Sequence, residues 1–357
     1  MERSVGIVGC GVISVTHMAA WKKTSASVRS VFDISRELAE KRAREFDVST
    51  VHQDLDRLIE ESDIVDVCTP PHTHAEIARK VIDAGRHLLI EKPLVTSTDD
   101  WDGMVEAMSG SPSKIAVVHN LKFVSSVQRA KRWVEEGRIG RVIGLSRQFL
   151  TDPSTDRMIA GGKHWSHDLP GGRWFETLPH ELYLTHYFAG PMDLSSVTVV
   201  RTATAPRGVS ADEVLIAMKG PTSLGTIHYS ANCALNKRML FVYGTEGMIT
   251  VDLLSDVAYL ARIRDSHSRR AIGRLFMESG QTMARMIPDR MGYTWRQLRG
   301  RTPHEGIIQA FVRYLDGKGP SPSPVDEIDY VVRNCDRIGR AIDSQAEDFA
   351  LAETASV

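Results

Sequence analysis

Residues 4–14 read Ser4-Val5-Gly6-Ile7-Val8-Gly9-Cys10-Gly11-Val12-Ile13-Ser14. A short apolar strand pattern runs straight into G-x-G-x-x-S, and a helical pattern follows through Lys23. Strand, glycine turn and helix in that order are the context in which a dinucleotide fingerprint carries meaning. Gly9 permits the tight turn and Gly11 lets the backbone approach a pyrophosphate. The helix start at Val12 and Ile13 then offers free N–H groups. Ser14 replaces the usual third glycine and is small enough for close helix–strand packing. A second strand pattern, Val28–Phe32, ends in Asp33, 22 residues beyond Gly11. A carboxylate there accepts hydrogen bonds from an adenosine ribose and repels a 2′-phosphate, which favours NAD. Ser35 and Arg36 follow at once and keep NADP open.

The same rhythm continues. A charged helical stretch covers Arg36–Phe46, and Ile64–Cys68 is a third strand running into Thr69-Pro70-Pro71-His72. Thr73-His74-Ala75-Glu76 has capping-box spacing for the next helix, which carries Val81 and Ile82 and stops at Gly85. Thr69, Pro70 and His74 fall on the cofactor side of this unit. His87–Ile90 is a further strand, and it delivers Glu91-Lys92-Pro93 at its end. Strands alternating with helices predict an α/β fold with a parallel sheet covered on both faces, a Rossmann domain over 1–120.

Beyond Asn120 the pattern changes. A helix over Val127–Gly137 leads to strands at Val142–Phe149, Val197–Thr202, Glu213–Lys219, Leu224–Ser230, Leu240–Tyr243 and Met248–Leu253. Turns such as Gly244-Thr245-Glu246-Gly247 suit a large, mostly antiparallel open sheet. A final helix is expected from about Asp326 to Ala346. The second domain is therefore placed at 121–345, with an arginine-rich insertion at 262–301 and a tail at 346–357. The insertion holds ten arginines, with Ile272, Leu275, Phe276, Met283, Met286 and Ile287 on one helical face.

Bulk properties narrow the class. The 357 residues include 44 Lys and Arg against 45 Asp and Glu, a net charge of −1 that draws the chain to neither nucleic acid nor anionic membrane. No apolar run approaches the ~18–20 residues of a membrane span. Met1-Glu2-Arg3-Ser4 enters the first strand without a signal-peptide pattern. Cys10, Cys68, Cys233 and Cys335 show no C-x-x-C spacing, which fits a reducing cytoplasm. Neither His72 with His74 nor His164 with His167 has companions at zinc-like spacing, so no metal is expected.

Glu91-Lys92-Pro93 places an ammonium at the end of a strand inside a dinucleotide-type pattern, where it can exchange a proton with a substrate alcohol. Downstream lies Gly171-Gly172-Arg173-Trp174-Phe175-Glu176-Thr177-Leu178-Pro179-His180. In this order the glycine turn, the Glu-Lys-Pro strand end and the glycine-rich run resemble the glucose–fructose oxidoreductase / inositol dehydrogenase (Gfo/Idh/MocA) family, from Val5 to about Ser344. The resemblance implies a Rossmann domain, a C-terminal α/β domain whose open sheet builds homodimers or homotetramers, and a Lys92–Pro93 bond that is often cis. It implies hydride transfer between nicotinamide and a hydroxyl or keto carbon of a sugar, inositol or nucleotide-sugar.

Lys92 and His180 are then the catalytic pair. Glu176 stands where the family carries aspartate, one methylene shorter, so its partner must sit differently. A helix starting near Glu176 would put Glu176 and His180 on one face and Pro179 in its first turn. Glu91 and Lys92 also border the cofactor. Asn120, Lys122, Trp165, Arg173 and Trp174, with Lys92 and His180, are placed on the substrate side. An NAD-dependent glycosidase using transient oxidation and a non-catalytic dinucleotide-binding regulator are the alternatives, and the joint presence of Lys92 and His180 argues against the regulator.

Overall fold

A computed structural model describes residues 2–160, 162, 164–202, 210–262, 280 and 302–355, with side chains through residue 346. The chain divides into two compact units, Met1–Asn120 with Thr302–Arg333, and Leu121–Arg301 with Asn334–Val357. The break at Asn120 coincides with the change of rhythm in the sequence. Assigning 121–345 to one continuous second domain needs correction, because residues 302–333 fold with the first unit. The expected arginine-rich insertion at 262–301 lies outside the described residues except at Arg262 and Gly280.

The first unit is a six-stranded parallel sheet in the order β3-β2-β1-β4-β5-β6. Its strands are β1 (Ser4–Val8), β2 (Ser27–Phe32), β3 (Thr50–Val51), β4 (Ile64–Val67), β5 (His87–Ile90) and β6 (Ile115–Val117). Five helices cross over between them: α1 (Val12–Trp21), α2 (Arg36–Phe46), α3 (Leu55–Glu61), α4 (His74–Asp83) and α5 (Thr98–Met108). Ser35 caps α2 by accepting from Leu38 N–H, and Ser97 caps α5 by accepting from Asp100 N–H. The strand order turns back between β1 and β4, so a crevice opens past the carboxyl ends of those strands. Open α/β sheets bind ligands at this switch point.

The returning segment 302–333 is held by burial. Ile307, Ile308 and Phe311 are fully buried. Ser323 Oγ accepts from Val117 N–H at 2.8 Å, and Ile328 and Val332 join the core that contains Val67, Val81, Leu88 and Trp101.

The second unit begins with α6 (Ser125–Glu135) and includes α7 (Arg157–Ala160) and α8 (Arg173–Ala189). Its sheet is β7 (Val142–Leu150), β8 (Asp193–Val200), β9 (Glu213–Lys219), β10 (Leu224–Ser230), β11 (Lys237–Gly244), β12 (Met248–Asp252) and β13 (Val257–Ala261). The order is β13-β12-β11-β7-β10-β9-β8, antiparallel throughout except between β7 and β10. One face, with Phe149, Tyr229, Leu240 and Ile216, is buried, and α8 packs there through Trp174. The opposite face leaves Leu215 and Leu224 exposed.

After α9 (Pro303–Leu315), the final helix α10 runs Val325–Ala355. It passes from the first unit into the second and continues through most of the stretch expected to be a tail. Helix α8 starts at Arg173, earlier than expected, so Pro179 lies inside the helix and not in its first turn.

Candidate active site

The cofactor end is built from the β1–α1 turn. Gly9 adopts φ +90°, and a Cβ there would come within 2.9 Å of the Cys68 backbone, so glycine is required. A Cβ at Gly11 would meet nothing within 4 Å, which leaves open space above the backbone where the fingerprint calls for close approach. Helix α1 has no side-chain cap and no acid in its first turn, so its N-terminal N–H groups remain available to a diphosphate. Ser14 Oγ donates to Gly11 O at 2.7 Å, and the buried Arg42 reaches Cys10 O at 3.2 Å and Gly11 O at 3.3 Å. These bonds hold the loop rigid from behind.

Asp33 is tied to the same loop. One of its oxygens accepts from Cys10 N–H and the other from Ser35 N–H, each at 2.7 Å. Beside it Ile34 is 99% exposed and Val12 is 85% exposed. Two apolar side chains left bare on either side of an anion-ready helix start suit an adenosine diphosphate that would cover them. Ser35 is engaged as the α2 cap and Arg36 pairs with Glu40 at 2.8 Å. Thr69 is half-buried with its methyl against Gly9, and Pro70 is exposed at the end of β4. His74 is different. It is fully buried, with one ring nitrogen on Pro93 O and the other on Thr69 O, both at 2.8 Å, so it braces two loops and has no face for a cofactor.

At the end of β5, Lys92 is half-buried and its bond to Pro93 is cis. Glu91 accepts from Lys92 N–H at 3.0 Å. Its other oxygen accepts from His17 Nε2 at 2.9 Å and lies 3.5 Å from His304 Nε2. His17 Nδ1 faces Asp66 at 2.9 Å, and Trp21 Nε1–H donates to Asp66 at 2.7 Å. Both imidazole nitrogens of His17 therefore point at carboxylate oxygens, which only accept, so the ring carries both protons. Burial opposes that charge, but the Asp66 carboxylate outweighs it and His17 lies well above its usual 6.5. Burial also pushes Glu91 up, yet hydrogen bonds from His17 and His304 hold it well below 4.5. These donors sit close enough together to consider a cation. The protonated imidazole fills that role between the two acids.

Asn120 Nδ2 lies 3.1 Å from His304 Nε2, so Asn120 joins this corner of the first unit. Sequence reasoning missed His17, Asp66 and His304. A signal was present for one of them, since a carboxylate in the apolar strand Ile64-Val65-Asp66-Val67 must find a buried partner.

The second unit gathers the remaining predicted residues around the start of α8. Gly171 has φ +72°, and a Cβ there would press to 3.0 Å on Gly339. Glu176, in the first turn, accepts from Thr177 Oγ at 3.2 Å and lies 3.5 Å from Arg173. His180 Nδ1 is 2.7 Å from Tyr183 Oη, which itself accepts from Leu121 N–H at 2.9 Å. Trp165 is exposed, and Lys122 is buried with its ammonium 5.8 Å from the Tyr187 ring.

Two expectations fail here. Trp174 is fully buried, stacked on Tyr229 at 4.9 Å with Nε1–H donating to Ala211 O, so it is core. Arg173 is also buried, bonded to Asp156 at 2.9 Å and Thr177 at 2.7 Å, so it positions Glu176 and cannot line an open substrate face.

Comparisons with known proteins agree with this geometry. Residues 3–119 match the oxidoreductase family with an NAD-binding Rossmann fold, and residues 127–250 match the GFO/IDH/MocA C-terminal domain. Levoglucosan dehydrogenase of Pseudarthrobacter phenanthrenivorans is 29% identical over 236 residues, 63% of this chain and 58% of that protein. Inositol 2-dehydrogenase 2 of Saccharopolyspora erythraea is 32% identical over 150 residues, 41% of this chain and 44% of that protein. The matched regions thus span about half the length of these two relatives. In fold, the chain is similar to the WlbA dehydrogenase of Bordetella pertussis in complex with NADH and UDP-GlcNAcA. The TM-score is 0.78 at 18% identity, with 96% of each chain covered. A levoglucosan dehydrogenase complex with NADH gives 0.77 at 20% identity, covering 97% of this chain and 98% of that one. With residues 3–119 and 127–250 matched, the chain belongs to the GFO/IDH/MocA family of oxidoreductases and carries that family's NAD-binding Rossmann domain.

Proposed function

We propose that the protein is an NAD-dependent dehydrogenase acting on a CH–OH group of a sugar, polyol or sugar derivative. The observation that carries this reading is Lys92, delivered by β5 at the switch-point end of the sheet and fixed through Glu91 by a buried ion network. Bound nicotinamide supplies the hydride acceptor. Lys92 Nζ takes or returns the proton of the substrate hydroxyl, and Glu91 keeps the backbone at Lys92 from shifting. His180 offers Nε2–H to a substrate oxygen, its ring orientation set by Tyr183, and Glu176 accepts from a neighbouring hydroxyl. The test is a panel of sugars, inositols and their derivatives with NAD and NADP, following absorbance of the reduced nicotinamide. Absence of net reduction, with bond cleavage instead, would move the protein to the glycosidase reading.

Asp33 sets cofactor choice in this proposal. The wild type should bind NAD more tightly than NADP, and Asp33→Ala should narrow the gap because the repulsion of a 2′-phosphate is gone. A titration in which the wild type prefers NADP would assign the choice to Ser35 and Arg36.

We also place a homo-oligomer interface on the open face of the second sheet, where Val200, Leu215, Leu224 and Tyr243 are exposed. Leu224→Arg should lower the mass measured by light scattering by a whole-number factor; an unchanged mass would clear this face of the role. All four cysteines are free thiols, and burial foremost pushes Cys10 and Cys68 up to about 12, which suits a reducing cytoplasm.

A further inference from the structure

The β1–α1 turn is gripped by a charged side chain from another element. Helix α2 is polar over most of its length, and its buried residues are Ala39, Arg42 and Ala43. The two alanines leave room for a close approach, and Arg42, only 7% exposed, directs its donors at the turn. Its Nε lies 3.4 Å from Cys10 O, and its Nη2 lies 3.2 Å from Cys10 O and 3.3 Å from Gly11 O. Nη1 is ion-paired with Glu45. A guanidinium is costly to bury unless its N–H groups find acceptors, and here two consecutive backbone carbonyls supply them.

Both carbonyls belong to trans peptide units, since the one cis bond among the described residues is Lys92–Pro93. In a planar trans unit the N–H points opposite to the C=O. A side chain that draws Cys10 O and Gly11 O toward α2 therefore turns the N–H groups of Gly11 and Val12 to the other side. That side is open. A Cβ on Gly11 would meet nothing within 4 Å, and Val12 is 85% exposed. Among the described residues neither N–H has a hydrogen-bond partner. The preceding one, Cys10 N–H, is taken by Asp33 at 2.7 Å. Ser14 Oγ adds a second donor behind Gly11 O at 2.7 Å.

We infer that Arg42 is a positioning residue for the cofactor, aiming the N–H groups of Gly11 and Val12 at the diphosphate of NAD. The inference rests on NAD binding by this Rossmann domain and not on the identity of the substrate. Two glycines leave this turn free to rotate its peptide units, which would present carbonyl oxygens to an anion. Arg42 opposes that rotation, because it would strand a buried guanidinium without acceptors. The donors are thus set before the cofactor arrives, and binding does not have to order them. The adenosine end serves as an internal control. Asp33, the acid expected to meet the ribose, is held by the N–H groups of Cys10 and Ser35, and Arg42 bonds to neither.

The test measures binding without turnover. Kd is read by calorimetry on the full chain for ADP-ribose, which carries the diphosphate, and for adenosine, which carries no phosphate. Arg42→Met keeps an apolar stem and removes every donor. It should raise Kd for ADP-ribose at least ten-fold and change that for adenosine less than two-fold. Arg42→Lys keeps the charge with one nitrogen in place of three, and should lose at least three-fold for ADP-ribose alone. An unchanged Kd for ADP-ribose in Arg42→Met would overturn the inference. So would an equal loss on both ligands, the mark of a generally weakened domain. Wild-type affinity of Arg42→Lys for ADP-ribose would assign the effect to charge and remove the aiming role. If Arg42→Met shows no cooperative melting transition, Arg42→Lys decides alone: a loss of at least three-fold confined to ADP-ribose upholds the inference, and any other result overturns it. The dehydrogenase reading stands or falls separately, on the oxidation panel.

Discussion

Replacing Lys92 with methionine should lower kcat by about 10²- to 10⁴-fold, the range expected when a positioned proton partner is lost. Methionine keeps the length and apolar stem of the side chain and removes the ammonium alone. The backbone at residue 92 stays anchored, because its N–H bonds to Glu91 and does not depend on the side chain. Binding of NAD, measured by protein fluorescence, should therefore change much less than turnover. A loss confined to kcat, with KM steady, identifies an interaction made mainly in the transition state. His180→Ala should reduce kcat by a similar order. If both groups manage the same proton, the double variant should lose far less than the product of the two single losses, whereas full multiplicativity would give them separate tasks. Turnover of Lys92→Met near the wild-type value would remove Lys92 from the mechanism.

The parts of the site that are legible from the sequence are those decided within a few residues. Gly9, Gly11 and Asp33 announce themselves because a tight turn, an open backbone and a strand-end acid are local demands on residue type. Lys92 is legible for the same reason, lying at the end of an apolar strand. Residues whose role depends on which neighbour covers them are not. Trp165 and Trp174 look alike as sequence, yet one is exposed and the other is stacked in the core on Tyr229, a partner 55 positions away. Arg173 and Arg238 show the same reversal. The arginine beside the glycine run is bonded to Asp156 and Thr177, while the one in a β-strand, with no motif around it, has no acceptor among the described residues. The return of residues 302–333 to the first unit was illegible because chain order argues against it, and only the burial of Ile307, Phe311 and Ile328 reveals it. His304 then arrives from that segment beside Glu91, so part of the ion network next to Lys92 comes from the far end of the chain.

That corner gives the largest expected effect on stability. His17 is buried with Asp66 on one nitrogen and Glu91 on the other, and neither acid can follow it into water if it is removed. His17→Ala should destabilise the protein by about 3–5 kcal/mol, the usual consequence of leaving a buried charge without its partner. His17→Gln should recover part of this, since an amide still donates to one of the two carboxylates. Chemical denaturation of the full chain reads both. A loss below about 1 kcal/mol for His17→Ala would mean that Trp21, His304 and the Lys92 backbone satisfy the acids without it. The pH dependence has a definite sign. His17 lies above its usual 6.5 in the folded chain, so its contribution is complete below 6.5 and fades only as pH rises through the higher folded value. Glu91 lies below its usual 4.5, so its contribution is complete above 4.5 and fades as pH falls through the lower folded value. The difference in stability between wild type and His17→Ala should accordingly be flat between about 4.5 and 6.5 and shrink outside that window on both sides. A difference that instead grows steadily from pH 5 to pH 8 would show His17 to be neutral in the folded chain, and would leave Glu91 and Asp66 to be stabilised by other donors.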